Sequence, residues 1–494
     1  MYLGIDLGTS EVKLLLLSEA GKVIATHGER LDISRPQPHW SEQSPDDWWV
    51  ATCSGVEALA AGHPESFREI RAIGLSGQMH GAVLLDQDDN VLRPAILWND
   101  TRSSAECTQM MERMPSLTAI AGNLAMPGFT APKVLWVKNH EPRVFERIAK
   151  VLLPKDYLRL KMTGEYVSEM SDAAGTLWLD VAKRDWSDEL LALTGLTRTQ
   201  MPRLVEGSQV SAPLSSGTAQ KWGLSGDVIV AGGAGDNAAS AVGIGAVKPG
   251  DGFVSLGTSG VMFVVTDRFR PNPESAVHAF CHALPKRWHQ MTVMLSAASC
   301  LRWVTHLVGA QNEQSLLDQV GAMSQAQQMN APIFLPYLGG ERTPHNDVFA
   351  RGVFYGLDHE TDAEALGYAV LEGVAFGMAD GLAALKGAGT EIAGLGLVGG
   401  GSRSPLWAQL HSNVLGLPVR VLAGAEAGGA LGAARLAWLA DGGSEEQVCV
   451  APETVSSFEP DPKVTAALME RYEQFKETYK ALRPVFRSRH MNQD

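Results

Sequence analysis

Gly4-Ile5-Asp6-Leu7-Gly8-Thr9-Ser10 returns half a chain later, in reduced form, as Ser255-Leu256-Gly257-Thr258-Ser259-Gly260. Each copy lies between apolar runs: Tyr2 to Ile5 and Val12 to Leu17 around the first, Phe253 to Leu256 and Val261 to Val265 around the second. The pattern predicts strand, tight Gly-Thr-Ser turn, strand. That is a β-hairpin whose tip offers backbone N–H groups and hydroxyls to an anion. Two such hairpins imply a duplicated domain, with both copies facing one cleft. A cleft with a phosphate loop on each wall suits a nucleoside triphosphate.

At 494 residues the chain exceeds what one core supports. Two domains are expected, 1–245 and 246–494, joined at the turn Val247-Lys248-Pro249-Gly250, a candidate hinge. Strand-like runs at Ala72 to Leu75, Val83 to Leu85, Val228 to Ala231 and Leu395 to Val398 alternate with helical stretches, which makes the class α/β. One helix opens at Ser44-Pro45-Asp46-Asp47, with serine as N-cap and proline at the first position, so Trp48 and Trp49 should pack inward.

A net charge of −14 argues against nucleic acid or an anionic membrane as partner, and requires that a triphosphate be neutralised locally by a few basic groups and a divalent metal. Five cysteines without CxxC spacing fit a reducing cytoplasm. With no basic leader and no apolar run of bilayer-spanning length, a soluble cytoplasmic protein is expected. The basic ending Arg483 to His490 reads as a solvated tail.

No GxxxxGK[ST] is present; the single Gly-Lys pair, Gly21-Lys22, is followed by Val23. The hairpins must therefore hold the phosphates. In the first, Asp6 can hold Mg²⁺, which takes one or two carboxylates and keeps several waters. Thr9 and Ser10 can donate hydroxyl hydrogen bonds, and Lys13 can reach a terminal phosphate. In the second, Gly257, Thr258 and Ser259 take the equivalent part. A third glycine run, Gly399-Gly400-Gly401-Ser402, precedes a helix opened by Ser404-Pro405 and lets a base or phosphate approach the backbone.

Asp236 follows a strand and the run Gly232-Gly233-Ala234-Gly235, and is the candidate general base. The helix that follows is expected to keep it ionised. A weak base suffices for phosphoryl transfer, because the nucleophile needs alignment first and loses its proton late. Two polar clusters can form a polyol pocket: Gln78, Met79 and His80 between glycines, and Asn99 with Asp100 after Trp98. His278, Cys281 and His282 lack an evident fourth ligand and read as core rather than metal site.

Together these residues resemble the FGGY carbohydrate kinase family, of the actin-like and ribonuclease-H-like ATPase clan. Its first signature region is similar to Gly128-Phe129-Thr130-Ala131-Pro132-Lys133-Val134-Leu135-Trp136-Val137-Lys138-Asn139-His140, and its second to the stretch from Gly399 to Pro418. Gly77 to Gly81, Leu97 to Asp100, Leu153 to Leu158, Ser171 to Thr176 and Gly340-Glu341-Arg342-Thr343-Pro344-His345-Asn346 look most like its xylulose-phosphorylating members. The resemblance implies two ribonuclease-H-like domains around a central cleft. It also implies transfer of the ATP γ-phosphate to the C5 hydroxyl of D-xylulose, and a homodimer. Asp236 then matches the base, Asp6 the Mg²⁺-linked carboxylate, and Met79, His80, Asp236 and Asn237 the sugar contacts. Lys13 falls to the phosphate, and Gly400, Gly401 and Ser402 to the adenosine. Glu11 departs from the family, which often has Gly or Ser after the Thr-Ser tip. The alternatives are a kinase of ribulose, gluconate or glycerol, and, from another class, an actin-like filament protein or a chaperone ATPase.

Overall fold

The computed structural model describes residues 1–424 and 428–491, with side chains to residue 488. In the first half, β1 (Tyr2–Leu7), β2 (Glu11–Leu17) and β3 (Val23–Arg30) form an antiparallel meander. β4 (Ala72–Gly77) then joins β1 in parallel, and β5 (Val210–Pro213) and β6 (Ile229–Ala231) complete the order β5-β6-β4-β1-β2-β3, with the short β7 (Ala234–Gly235) also on β4. The second half repeats this plan. β8 (Gly252–Leu256), β9 (Gly260–Thr266) and β11 (Trp288–Met294), with β10 (His278–Cys281) at the edge, form the antiparallel part. β12 (Leu395–Val398) and β13 (Val419–Leu422) follow in parallel, and β14 (Thr454–Phe458) closes the edge antiparallel. The strand order about β8 matches that about β1, so the duplication read from two hairpin tips extends through both sheets.

The halves meet through helices of small residues. α1 (Pro45–Gly62), α2 (Thr130–His140), α3 (Pro154–Thr163) and α4 (Asp236–Gly243) belong to the first half. α5 (Ala363–Gly387), α6 (Pro405–Leu415), α7 (Gly428–Ala440) and α8 (Pro462–Met491) belong to the second. α7 nevertheless packs on β1 and β4 of the first sheet and against α4. A Cβ on Gly4 would lie 2.0 Å from the Ala430 carbonyl oxygen, one on Gly74 1.8 Å from that of Ala433, and one on Gly432 1.8 Å from that of Ala239. Backbone touches backbone at all three places, and an apolar cluster containing Tyr2, Leu15, Ala239, Ala430 and Trp438 fills the rest of the joint. The turn read as a hinge is braced by Asp251, whose Oδ2 accepts from the N–H groups of Val247 (3.1 Å) and Lys248 (2.8 Å).

Three expectations need correction. Ser44 precedes α1 as foreseen, but its side chain makes no capping bond; Trp48 donates instead to Gln43 Oε1 (3.0 Å), and Trp49 packs on Trp222. An apolar helix of membrane-crossing length does exist among the described residues, Ala363–Gly387. It is the central helix of the second half, almost wholly buried against its sheet. The basic ending is not a loose tail but the last turns of α8.

Replacing Gly432 by Val should lower stability by about 1–3 kcal/mol or more, because a side chain there forces α7 off α4. Gly217→Ala, in a helix with open space around it, should be neutral or slightly stabilising. Urea unfolding midpoints of the two variants check both.

Candidate active site

In parallel sheets, ligands bind beyond the carboxyl ends of the strands. Asp6 lies near that end of β1, in register with Ser76 of β4, and Ser76 in turn is paired with Ala234 of β7. The residue after β7 is Gly235's neighbour Asp236, so the two carboxylates named from sequence stand at the ends of adjoining strands. The Oδ1 atom of Asp6 is buried without a hydrogen-bond partner. Burial raises the Asp6 carboxyl above the usual range, with Ser76 and the charge of Lys13 acting against it. The N-terminal turn of α7 abuts the same group: a Cβ on Gly429 would come within 2.4 Å of Asp6 Oδ2.

Asp236 is pushed up to about 6, first by burial and then by the negative charge of Asp6; bonds from Asn237 oppose the shift. Its Oδ1 accepts from the Asn237 backbone N–H (2.7 Å) and side-chain amide (2.9 Å). The helix was expected to keep Asp236 ionised; at about 6 the group is still chiefly ionised at neutral pH, but its pKa is raised. α4 has only eight residues, and the opposing carboxylate with the loss of solvent outweighs its dipole.

What holds Asp236 there escaped the sequence reading. Arg159 of α3 donates to the carbonyls of Ala231 (2.5 Å) and Gly232 (2.5 Å), and the Gly235 N–H donates to Ser171 Oγ (3.0 Å). Beside them Lys155 is ion-paired with Asp156 (3.0 Å), Glu169 (3.3 Å) and Asp172 (2.9 Å), all fully buried. The available signal was the density of charge in Lys155-Asp156-Tyr157-Leu158-Arg159 on a helix flanked by apolar strands.

At the sugar end, Met79 lies against Gly235, where a Cβ would meet Met79 Cγ at 2.9 Å. His80 has a left-handed backbone, φ 72°. Its Nδ1 lies 2.6 Å from the Gly175 carbonyl oxygen, which only accepts, so Nδ1 carries the proton. Burial, then the charge of Lys133, lowers the imidazole to about 3. His80 is therefore neutral, with Nε2 as an acceptor. The His80 carbonyl accepts from Lys133 Nζ (2.9 Å) and Thr130 Oγ1 (3.1 Å), and Lys133 also donates to Gly128 (2.7 Å). Asn237 sits beside Asp236, and Asn99 is exposed next to the half-exposed Trp98.

Other assigned side chains have internal partners. The Thr9 hydroxyl donates to Gln78 Oε1 (3.0 Å) and accepts from Trp98 Nε1 (3.0 Å), while Gln78 Nε2 donates to Gln43 Oε1 (3.1 Å). Thr9 and Gln78 thus tie the phosphate hairpin to the sugar loop rather than offering free donors to ligands. Asp100 is fully buried, accepting from Ser41 N–H (2.6 Å), Arg102 Nε (2.9 Å) and Arg102 Nη2 (2.6 Å). This corrects its reading as a sugar contact: an acid so placed serves to neutralise Arg102, which also pairs with Glu42 and lies over Trp40. Ser10 is exposed at the first tip. Lys13, opposite Asp6 in the hairpin, lies 3.5 Å from Glu11, so Glu11 pairs with the cation instead of facing the phosphate side alone.

The second group of candidates gathers around Leu256. Thr258 and Ser259 are exposed at the tip, while the carbonyls of Gly257 and Thr258 accept from the first N–H groups of the next helical segment, Ala298 (2.8 Å) and Ala297 (2.9 Å). Gly399 has φ 87°, and a Cβ on it would meet the Leu256 carbonyl oxygen at 2.8 Å; on Gly401 it would meet Leu256 Cβ at 2.7 Å. Gly400 has open space above it, whereas the Ser402 hydroxyl donates within its own loop to Gly399 (2.7 Å). His278 Nδ1 pairs with Asn123 Oδ1 (2.9 Å), and the Cys281 thiol with the Val181 carbonyl. Among the described residues no group of three or more His, Cys, Asp or Glu could hold a metal by itself.

The N-terminal domain of the FGGY family of carbohydrate kinases matches residues 1–243, and its C-terminal domain residues 252–440. A xylulose kinase of Escherichia coli (strain K12) is 51% identical over 98% of this chain and 100% of its own length. The crystal structure of a xylulose kinase from Brucella ovis superposes with a TM-score of 0.95 at 54% identity, covering 98% of this chain and 99% of that one. A gluconate kinase from Lactobacillus acidophilus superposes with a TM-score of 0.91 at 25% identity, over 97% of each chain. With both domain models in order along the chain and the paired sheets they describe, this protein belongs to the FGGY family of carbohydrate kinases.

Proposed function

We propose that this enzyme transfers the γ-phosphate of ATP to the C5 hydroxyl of D-xylulose, giving D-xylulose 5-phosphate and ADP, with Asp236 as general base. The observation that carries the reading is Asp236 itself. It is a carboxyl raised to about 6 that stands between an acidic strand end and the sugar loop. The choice of sugar is supported by the relatives named xylulose kinase, about half identical over nearly the whole chain. A kinase of another small sugar or polyol is the alternative, since the fold alone also accommodates a gluconate kinase.

Asp236 orients the hydroxyl and takes its proton as the O–P bond forms; a pKa near 6 makes it a better acceptor than an ordinary aspartate. Neutral His80 accepts a hydrogen bond from a sugar hydroxyl through Nε2, and Asn237 holds the base carboxylate. Lys13 and the exposed tip hydroxyls of Ser10, Thr258 and Ser259 lie where a triphosphate needs donors, and Gly400 leaves room for the adenosine. Asp6, half-buried with its Oδ1 buried and unpartnered, would hold Mg²⁺ together with the triphosphate. When bound, the ion would neutralise charge on the phosphates. We further propose two domains, 1–245 and 246–494, that close about the Val247–Gly250 turn to exclude water, a homodimer, and a cytoplasmic setting that suits five unpaired thiols.

The test is ADP release with Mg²⁺-ATP across D-xylulose, D-ribulose, L-ribulose, glycerol and gluconate. D-xylulose should give the highest kcat/KM; a different winner would replace the substrate, and no sugar-dependent release would end the kinase reading. Asp236→Asn should lower kcat about 10²–10⁴-fold with the KM for ATP changed little. The pH profile of kcat/KM should rise through about pH 6 as Asp236 loses its proton, then level off. Stability runs the other way. The folded state keeps this proton up to about pH 6, above the ordinary aspartate value of about 3.9, so the stabilisation present at low pH is lost as pH rises through 6. Asp236→Asn should therefore melt higher than the parent protein at pH 8, measured by circular dichroism, although it is inactive.

A further inference from the structure

Arg342 belongs to the segment Gly340 to Asn346, to which neither the sequence nor the mechanism assigns a role. Its backbone is fastened on both sides. Buried Glu341 accepts through Oε1 from the N–H groups of Leu295 (3.0 Å) and Arg342 (2.7 Å). Thr343 donates from N–H to the Val293 carbonyl (3.1 Å) and from Oγ1 to the Ala276 carbonyl (3.0 Å), and accepts from Val293 N–H (3.1 Å). These bonds set Arg342 beside the start of β10, where His278 stacks on Phe280 (ring centroids 5.6 Å). Phe129 bridges from there to the sugar loop, 5.7 Å from His278 and 4.7 Å from His80. The positive charge of Arg342 is felt at both imidazoles, whereas the charge felt at Asp236 is that of Asp6. The pocket thus has two poles, a base at one end and a cation at the other.

The guanidinium has neither a hydrogen bond nor an ion pair among the described residues. Its neighbour Glu341 makes no ion pair with it: the Glu341 Oε1 is turned to two backbone N–H groups, and burial pushes that carboxyl up to about 8 against the charge of Arg342. A half-buried arginine with its donors unengaged, its charge acting on His80 of the other half and His278 of its own, is a site prepared for an acceptor supplied by the ligand.

The chemistry of the substrate class names that acceptor. A 2-ketopentose closes to a furanose by joining O5 to C2, which consumes the hydroxyl to be phosphorylated. A kinase acting at C5 must therefore hold the open chain, whose distinguishing group is the C2 carbonyl, an acceptor that carries no proton. Accepting the proposed reaction at C5, we infer that Arg342 donates to the C2 carbonyl oxygen of the open-chain ketose and so selects that form, while Asp236 holds the C5 hydroxyl. The second half then supplies a specificity-determining residue to a pocket otherwise built by the first.

The test is Arg342→Ala, Arg342→Gln and Arg342→Lys in the full chain. Arg342→Ala should raise the KM for D-xylulose about 30–100-fold, as expected for loss of a charge-assisted hydrogen bond, with the KM for ATP within about twofold. Arg342→Lys, which keeps a charged donor, should recover part of the loss. With D-xylulose carrying ¹³C at C2 and no nucleotide, the infrared carbonyl band should be displaced to lower frequency in the parent protein and revert in Arg342→Gln at saturating sugar. An unchanged sugar KM, a rise confined to the KM for ATP, or the same carbonyl band in both proteins would overturn the inference. Melting curves separate misfolded variants, and Arg342→Lys carries the test should the smaller residues unfold. A parent protein inactive on every 2-ketopentose would instead refute the proposed reaction.

Discussion

Two carboxylates at the ends of adjoining strands repel each other, and much of the first half serves to keep them together. Asp6 and Asp236 each lie in a poorly solvated place, and the charge of one raises the pKa of the other. Left to itself, the glycine-rich run before Asp236 would relax away. Arg159 and Ser171 prevent this by gripping the carbonyls and the N–H of Ala231, Gly232 and Gly235. On the other side the Gly429 turn of α7 leaves Asp6 no room to retreat. The repulsion is stored by rigid parts and relieved by cationic charge.

The duplicated architecture makes the division of labour intelligible. Both sheets share one strand order, so Ser255 in β8 occupies the place of Asp6 in β1, each in register with a parallel neighbour. The first copy carries an acid there, whose charge acts on Asp236. The other, with serine, is free of that repulsion and leaves its Thr258-Ser259 tip exposed beside the Gly400 loop. The small-residue contact between α4 and α7 joins the two copies at backbone distance, and α4 begins with Asp236 itself. No long side chain stands between α7 and the helix that carries Asp236.

The hairpins, the α/β class, the strand before Asp236 and the capped α6 were legible because each depends on local pattern: alternation, glycine at the tip, Ser404 bonded to the Trp407 N–H. Asp100 was misread because nothing in Trp98-Asn99-Asp100-Thr101-Arg102 tells which polar group turns inward. That is decided by Ser41 and Glu42, far away in sequence. Thr9 and Gln78 were assigned to different ligands, yet they bond to each other. The upward shift of Asp236 was not foreseen for the same reason: a helix start is visible in sequence, but the carboxylate opposing it is not. Lys155, Arg159 and Arg342 lay beyond reach because a charged residue reads as exposed until a fold buries it.

The sugar loop is an instance of strain put to use. A left-handed histidine costs about 1–3 kcal/mol, and a neutral imidazole among cations has no electrostatic reason to be there. Lys133 resolves both difficulties. Fully buried, it donates to the His80 carbonyl and to that of Gly128, and so ties the left-handed residue to the Gly128 turn. Its own pKa is lowered to about 7 by burial, and its charge is one reason why His80 stays unprotonated. Lys133 therefore fixes the geometry of His80, and its charge adds to the burial that keeps the imidazole unprotonated. An imidazole that cannot gain a proton across the physiological range remains an acceptor, which is the part proposed for it toward a sugar hydroxyl.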